Sequence, residues 1–201
     1  MLAGCKKEGD IVVEQGVGIT ALRSVCPAVG VPEYLGDVTT FSPEGARTAD
    51  AIDVTASITN VRSQCDESGA EVYTNATFDV VAQRRNTQGA RTVTLPYFST
   101  VMRGGSSVIA KRVGSVTLNF ADGQARAQAS GTAGAVVDRA EATLPDDIRQ
   151  RITRRRKAGE AEAAIDPLTE PDVRAALARA TFELLIGFQM DESHLGYNAT
   201  R

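Results

Sequence analysis

A chain of 201 residues is long enough for one domain with a full core, or for a domain and an appendage. Its 42% hydrophobic content removes disorder as the default, and a net charge of −3 argues against nucleic acid as the main partner. With no Trp and only 5% aromatics the core must rest on Val, Ile, Leu and Ala, and no run reaches the length of a membrane-spanning helix.

The N-terminus reads Leu2-Ala3-Gly4-Cys5. These four residues resemble the lipobox of bacterial lipoproteins, a small-residue cleavage site ending in Cys. The resemblance implies that Cys5 becomes the first residue, carries acyl chains and anchors the chain to a membrane. The basic and apolar regions that precede the box in that family are missing, which implies trimming or a start codon placed too late. The competing account is a chance match in a cytosolic protein. Lys6 to Gly18 is polar and Gly-containing around Ile11 to Val13, and suits a tether between anchor and body. An Asp directly after the Cys favours the inner membrane in enterobacterial lipoproteins. This chain has Lys6, so the resemblance implies the outer membrane, with the body in the periplasm.

Three cysteines are present, Cys5, Cys26 and Cys65. Acylation of Cys5 leaves Cys26 and Cys65 as one pair. Their disulfide would close a loop of about 40 residues, worth roughly 3–4 kcal/mol in the chain-entropy model, and would fit an oxidising compartment. The alternative is two separate buried thiols. No metal site is expected, because neither Cys belongs to a Cys-x-x-Cys pair and His194 is the single His.

Residues 19–201 are expected to form a single β-rich domain. Asp37 to Phe41 is a short candidate strand. The central feature is a long antiparallel hairpin over Asp50 to Arg85. There Ile52, Val54, Ala56 and Ile58 alternate with polar residues, as do Val72, Ala76, Phe78 and Val80. Its loop, Asp66-Glu67-Ser68-Gly69, suits Gly69 at a positive φ. Arg91 to Met102 follows, with Pro96 pushing it toward a sheet edge or a bulge. Gly104-Gly105 turns the chain into Ser107 to Arg112, then Val116, Leu118 and Phe120 alternate. Asp122-Gly123 predicts a tight hairpin. The next strand carries Ala125, Ala127, Ala129, Gly131, Ala133 and Ala135 at alternate positions. Such small side chains require a bulky cover, and the C-terminal segment around Leu177, Leu184 and Leu185 is the expected one.

Thr143-Leu-Pro-Asp146 and Thr169-Glu-Pro-Asp172 each read as a variant capping box, so helices are expected over about 144–160 and 170–186. Period alone does not separate helix from strand over 181–189. The first helix carries Arg149, Arg151, Arg154, Arg155, Arg156 and Lys157. These suit contact with anionic headgroups or an acidic partner. The plainer account is a solvated basic face.

The sequence holds no P-loop, no Gly-x-Ser-x-Gly and no paired metal-ligand motif. Asp191, Glu192 and Ser193 beside His194 are too local for a convincing triad. No catalytic residue and no cofactor is assigned. The expected fold is an antiparallel β-sandwich-like domain with one or two C-terminal helices packed on it. The expected function is a non-catalytic binding or scaffolding role in a cell-envelope assembly, with a protein partner there and the membrane held through Cys5. The alternative is a periplasmic carrier of an apolar ligand held between sheet and C-terminal helix. An enzyme without a recognisable motif is the third class.

Overall fold

The structure, a computed structural model, describes residues 23–154 and 166–200. Cys5, the tether, Arg155, Arg156 and Lys157 lie outside them. Two compact units emerge: one comprises Val25–Thr143 with Arg179–Arg201, and the other takes in Leu144–Ala178.

The first unit is mainly β, as alternation predicts. Its strands are β1 (Ala28–Gly30), β2 (Asp37–Phe41), β3 (Ile52–Asp66), β4 (Glu71–Arg84), β5 (Arg91–Arg103), β6 (Ser107–Phe120), β7 (Arg126–Asp138) and β8 (Phe182–Phe188). They form two four-stranded sheets, ordered β1-β8-β5-β6 and β2-β3-β4-β7. All ladders are antiparallel except β1 with β8. Period-two alternation sends Val54, Ala56, Val72, Ala76, Phe78 and Val80 inward to meet Leu95, Val116, Leu118, Leu184 and Ile186 from the other sheet. A four-residue helix α1 (Arg139–Ala142) follows β7. The C-terminal helix α4 (Glu192–Thr200) packs on β2. Tyr197 meets Phe41 edge-on at 5.0 Å, and the Asn198 amide donates to the Tyr34 and Asp37 carbonyls at 2.9 and 2.7 Å.

The two ends of this sandwich differ. At one, Arg91 of β5 grips Asp53 of β3 with two bonds of 2.6 Å, linking the sheets. Beside it the fully buried Arg84 donates to the carbonyls of Thr87, Gly89, Ala121 and Gln124, and its guanidinium lies over the Phe120 ring. At the other end Cys26 and Cys65 are joined in a disulfide, with Cα atoms 6.2 Å apart.

In the second unit, α2 (Asp146–Thr153) and α3 (Pro171–Ala180) flank a 3-10 turn at Pro167–Thr169. Ile148, Ile152, Val173 and Ala176 form its small core, with Leu144 and Leu177 against it.

Several expectations are corrected. The segment 182–188 is strand, not helix: α3 stops at Ala180, and β8 then pairs with both β1 and β5. An apolar run of this length satisfies either period, and two waiting edges decide for strand. Thr143 does not cap α2. Its hydroxyl donates back to the Arg139 carbonyl, ending α1, and Pro145 stands before the first turn of α2. Glu170, not Thr169, precedes α3, whose first residue is Pro171. Gly69 does not take a positive φ. The Asp66 carboxylate instead accepts from the Ser68 amide and hydroxyl, closing the turn with a side chain. Pro96 lies in a central strand. The β8 ladder stops at Tyr97 opposite Phe188, so no N–H is required of Pro96, and its carbonyl accepts from Gln189. Asp122-Gly123 does turn the chain, with Gly123 at φ 74, but the strands it joins do not pair. β6 closes one sheet and β7 closes the other.

Candidate binding cleft

The parting of β6 from β7 opens one side of the sandwich at the disulfide end. A cleft of about 580 Å³ lies there. Its walls come from the ends of β3 (Cys65, Asp66), the start of β4 (Tyr73, Thr74), β5 (Val101), β6 (Ile109, Ala110, Arg112) and β7 (Ala135, Val136). The cleft exists because the facing residues are small. Ala135 continues the alanine stripe of β7, and Ala110 stands on the face of β6 that buries Val116, Leu118 and Phe120 further along.

The stripe therefore has two fates. Along its middle, Ala129, Gly131 and Ala133 belong to the main core. There Phe78 fills the space above Gly131, and Tyr97 stacks edge-on against Phe78 at 5.0 Å while donating to the Thr132 carbonyl at 2.8 Å. These aromatics cover the middle of the stripe, and of the C-terminal segment Leu184 lies in the same core while Leu185 alternates to the other face of β8. Leu177 packs in the second unit, and Leu184 enters the main core from β8. Ala135, also a core residue, stands where the cleft begins.

Two polar groups in the cleft are unmet. Thr74 is 3% exposed, yet its hydroxyl has no hydrogen-bond partner among the described residues. Burial of a hydroxyl without a partner is costly, so such a group calls for explanation. Arg112 projects from the inward face of β6, and its guanidinium has no ion-pair partner among the described residues. By contrast Asp66, also on the rim, is occupied by Ser68, which holds its carboxyl below the usual range. Above the cleft, Val108, Ile109 and Val113 of β6 are each more than half exposed on a strand with one free edge.

Thr74 was legible in principle. It is the polar residue at an inward position between Val72 and Ala76. Arg112 shares the alternate positions of Val116, Leu118 and Phe120, so its face was legible too, but that its end of β6 parts from β7 and leaves a cleft was not.

Of the basic residues singled out on the first helix, Arg149 pairs with Asp146 at 2.7 Å and Arg151 with both Glu170 and Asp172. Hydrogen bonds donated to Asp172 and Glu170 hold the Arg151 guanidinium well above its usual range. Arg151 is thus a strut of the second unit, and Arg154 is exposed at the end of α2. Asp191, Ser193 and His194 do meet. One Asp191 oxygen accepts from the Ser193 hydroxyl at 2.8 Å and the His194 amide at 2.8 Å, and lies 2.7 Å from the His194 ring. This is the N-cap of α4: the Ser hydroxyl donates to the carboxylate rather than to the imidazole, so no nucleophile is activated. Among the described residues no group of His, Cys, Asp and Glu is placed to hold a metal ion, and no helix is long and apolar enough to cross a membrane.

No family model, no curated protein and no solved structure matches this chain.

Proposed function

We propose that this chain is a lipid-anchored protein of the bacterial envelope that works by binding and not by catalysis. The carrying observation is the open end of the sandwich, where a cleft of about 580 Å³ contains a buried hydroxyl and a guanidinium that have no partner among the described residues. Pockets that take small ligands are of this size and pair mostly apolar walls with a few placed polar groups. The Cys26–Cys65 disulfide at the rim supports an oxidising compartment. Leu2-Ala3-Gly4-Cys5 supports an anchor, and Lys6 supports the outer membrane.

A second reading, that of a carrier of an apolar ligand, draws on the same cleft. The ligand would then lie between the two sheets rather than under a helix. The exposed Val108, Ile109 and Val113 support the scaffold form of the first reading, since an apolar free edge suits a protein partner.

Expression behind a complete signal peptide in a bacterial host tests the anchor. Wild-type protein is expected in the detergent-extracted membrane fraction, and Cys5→Ser is expected to be released or left unprocessed. Stable retention requires more than one acyl chain, each burying about 0.8 kcal/mol per CH₂. An unmodified Cys5 in mature native protein, seen by mass spectrometry, rejects the reading.

A further inference from the structure

The cleft has an apolar side and a polar rim of Gln64, Asp66, Tyr73 and Asn75, with the Asp66 carboxylate already taken by Ser68. Val101, Ala110, Ala135 and Val136 present methyl groups. Arg112 offers a positive charge that none of the described residues pairs with, and Thr74 offers a hydroxyl that none of them satisfies. We propose that the cleft binds a single-chain anionic amphiphile, a long-chain carboxylate. Its carboxylate sits on Arg112 and accepts from the Thr74 hydroxyl, and its chain lies along the apolar side of the cleft.

This rests on the reading of the chain as a binding protein and names the ligand of that site. Charge complementarity selects an anion, because a guanidinium in a largely apolar wall gains a charge-assisted, forked pairing with a carboxylate. The apolar lining selects a chain. An extended peptide fits less well: it would add to the free edge of β6, whereas Thr74 lies buried on the inner face of β4, where a strand on that edge does not reach.

The full chain carrying Cys5→Ser, oxidised and stripped of bound lipid, is titrated calorimetrically with dodecanoate and with dodecanol, both below their aggregation limits. Dodecanoate is expected to bind, and dodecanol to bind at least about tenfold more weakly, as loss of one charged hydrogen bond implies. Arg112→Gln, an exposed substitution, is expected to remove that difference. Ala110→Phe is expected to block the cleft and abolish binding, with the thermal midpoint of the free protein retained. Three outcomes overturn the proposal: no binding of dodecanoate, equal binding of dodecanol, or binding that Ala110→Phe leaves unchanged. Any of these, with Cys5-dependent membrane retention intact, removes the ligand and leaves the envelope reading standing.

Discussion

The ring of Phe78 on β4 occupies the place where a side chain on Gly131 of β7 would stand, and the two residues are direct register partners. The arrangement recurs. Tyr97 covers its partner Gly114 across β5 and β6, and Phe98 covers its partner Gly187 across β5 and β8. A chain without Trp thus places three of its aromatics over a glycine on the next strand, where no Cβ competes for the space. Gly131→Ala is expected to cost roughly 1–3 kcal/mol by overpacking. In a Phe78→Leu background the same change is expected to cost less. Urea melts of the four proteins in this cycle measure the coupling, and strict additivity would show that the two residues do not share the space.

Arg84 should be among the least replaceable residues. It satisfies four carbonyls in two loops, 86–90 and 121–125, from a fully buried position. Arg84→Met keeps the volume but orphans those carbonyls. The expected loss is roughly 3 kcal/mol or more, given about 1–3 kcal/mol for a buried group left unpaired. A denaturant midpoint close to wild type would mean that water enters and replaces the guanidinium.

Thr74→Val is expected to behave in the opposite way. The hydroxyl makes no hydrogen bond to any described residue, so exchanging it for a methyl removes a desolvation cost and no hydrogen bond. Stability should be unchanged or slightly raised, and a destabilised variant in a thermal melt would reveal a partner for the hydroxyl.

Reduction of the Cys26–Cys65 bond, which spans 39 residues, releases the segment before β1 from the end of β3. Chain entropy predicts a loss of about 3–4 kcal/mol. Equilibrium unfolding with and without reductant, compared with a Cys26→Ser/Cys65→Ser protein, measures it. Equal midpoints in all three states would count against the bond as a stabiliser.

Asp191 makes the cap of α4 sensitive to acid. The His194 amide, then its ring and the Ser193 hydroxyl, hold the Asp191 carboxyl below the usual carboxylate range. A depressed carboxyl stabilises the fold above its unfolded value of about 3.9 and loses that contribution as pH falls through the lower folded value. Asp191→Ala should therefore cost about 0.5–2 kcal/mol near neutrality. Thermal midpoints of mutant and wild type should converge as pH drops below the ordinary carboxylate range. A constant gap down to strong acid would show that the cap is not the cause.

The strands, their inward faces and the small stripe on β7 were legible in the sequence, because the side chain of an extended residue alternates with period two whatever its neighbours do. So was the pairing of Cys26 with Cys65, though only through the resemblance that set Cys5 aside. Which strand lies beside which was not. Asp122-Gly123 reads as a hairpin, yet β7 pairs with β4, since the long β4 offers a complete ladder for the whole of β7. Phe182–Phe188 reads equally as helix or strand, and the open edges of β1 and β5 decided. The cleft depends on both outcomes. It exists where β6 and β7 part, and there Arg112, inward by alternation along β6, meets open space and not a packed core. Local sequence determines which way a side chain points from its own backbone. Only the pairing of distant strands determines what it points at, and that is a competition among ladders that no single segment encodes.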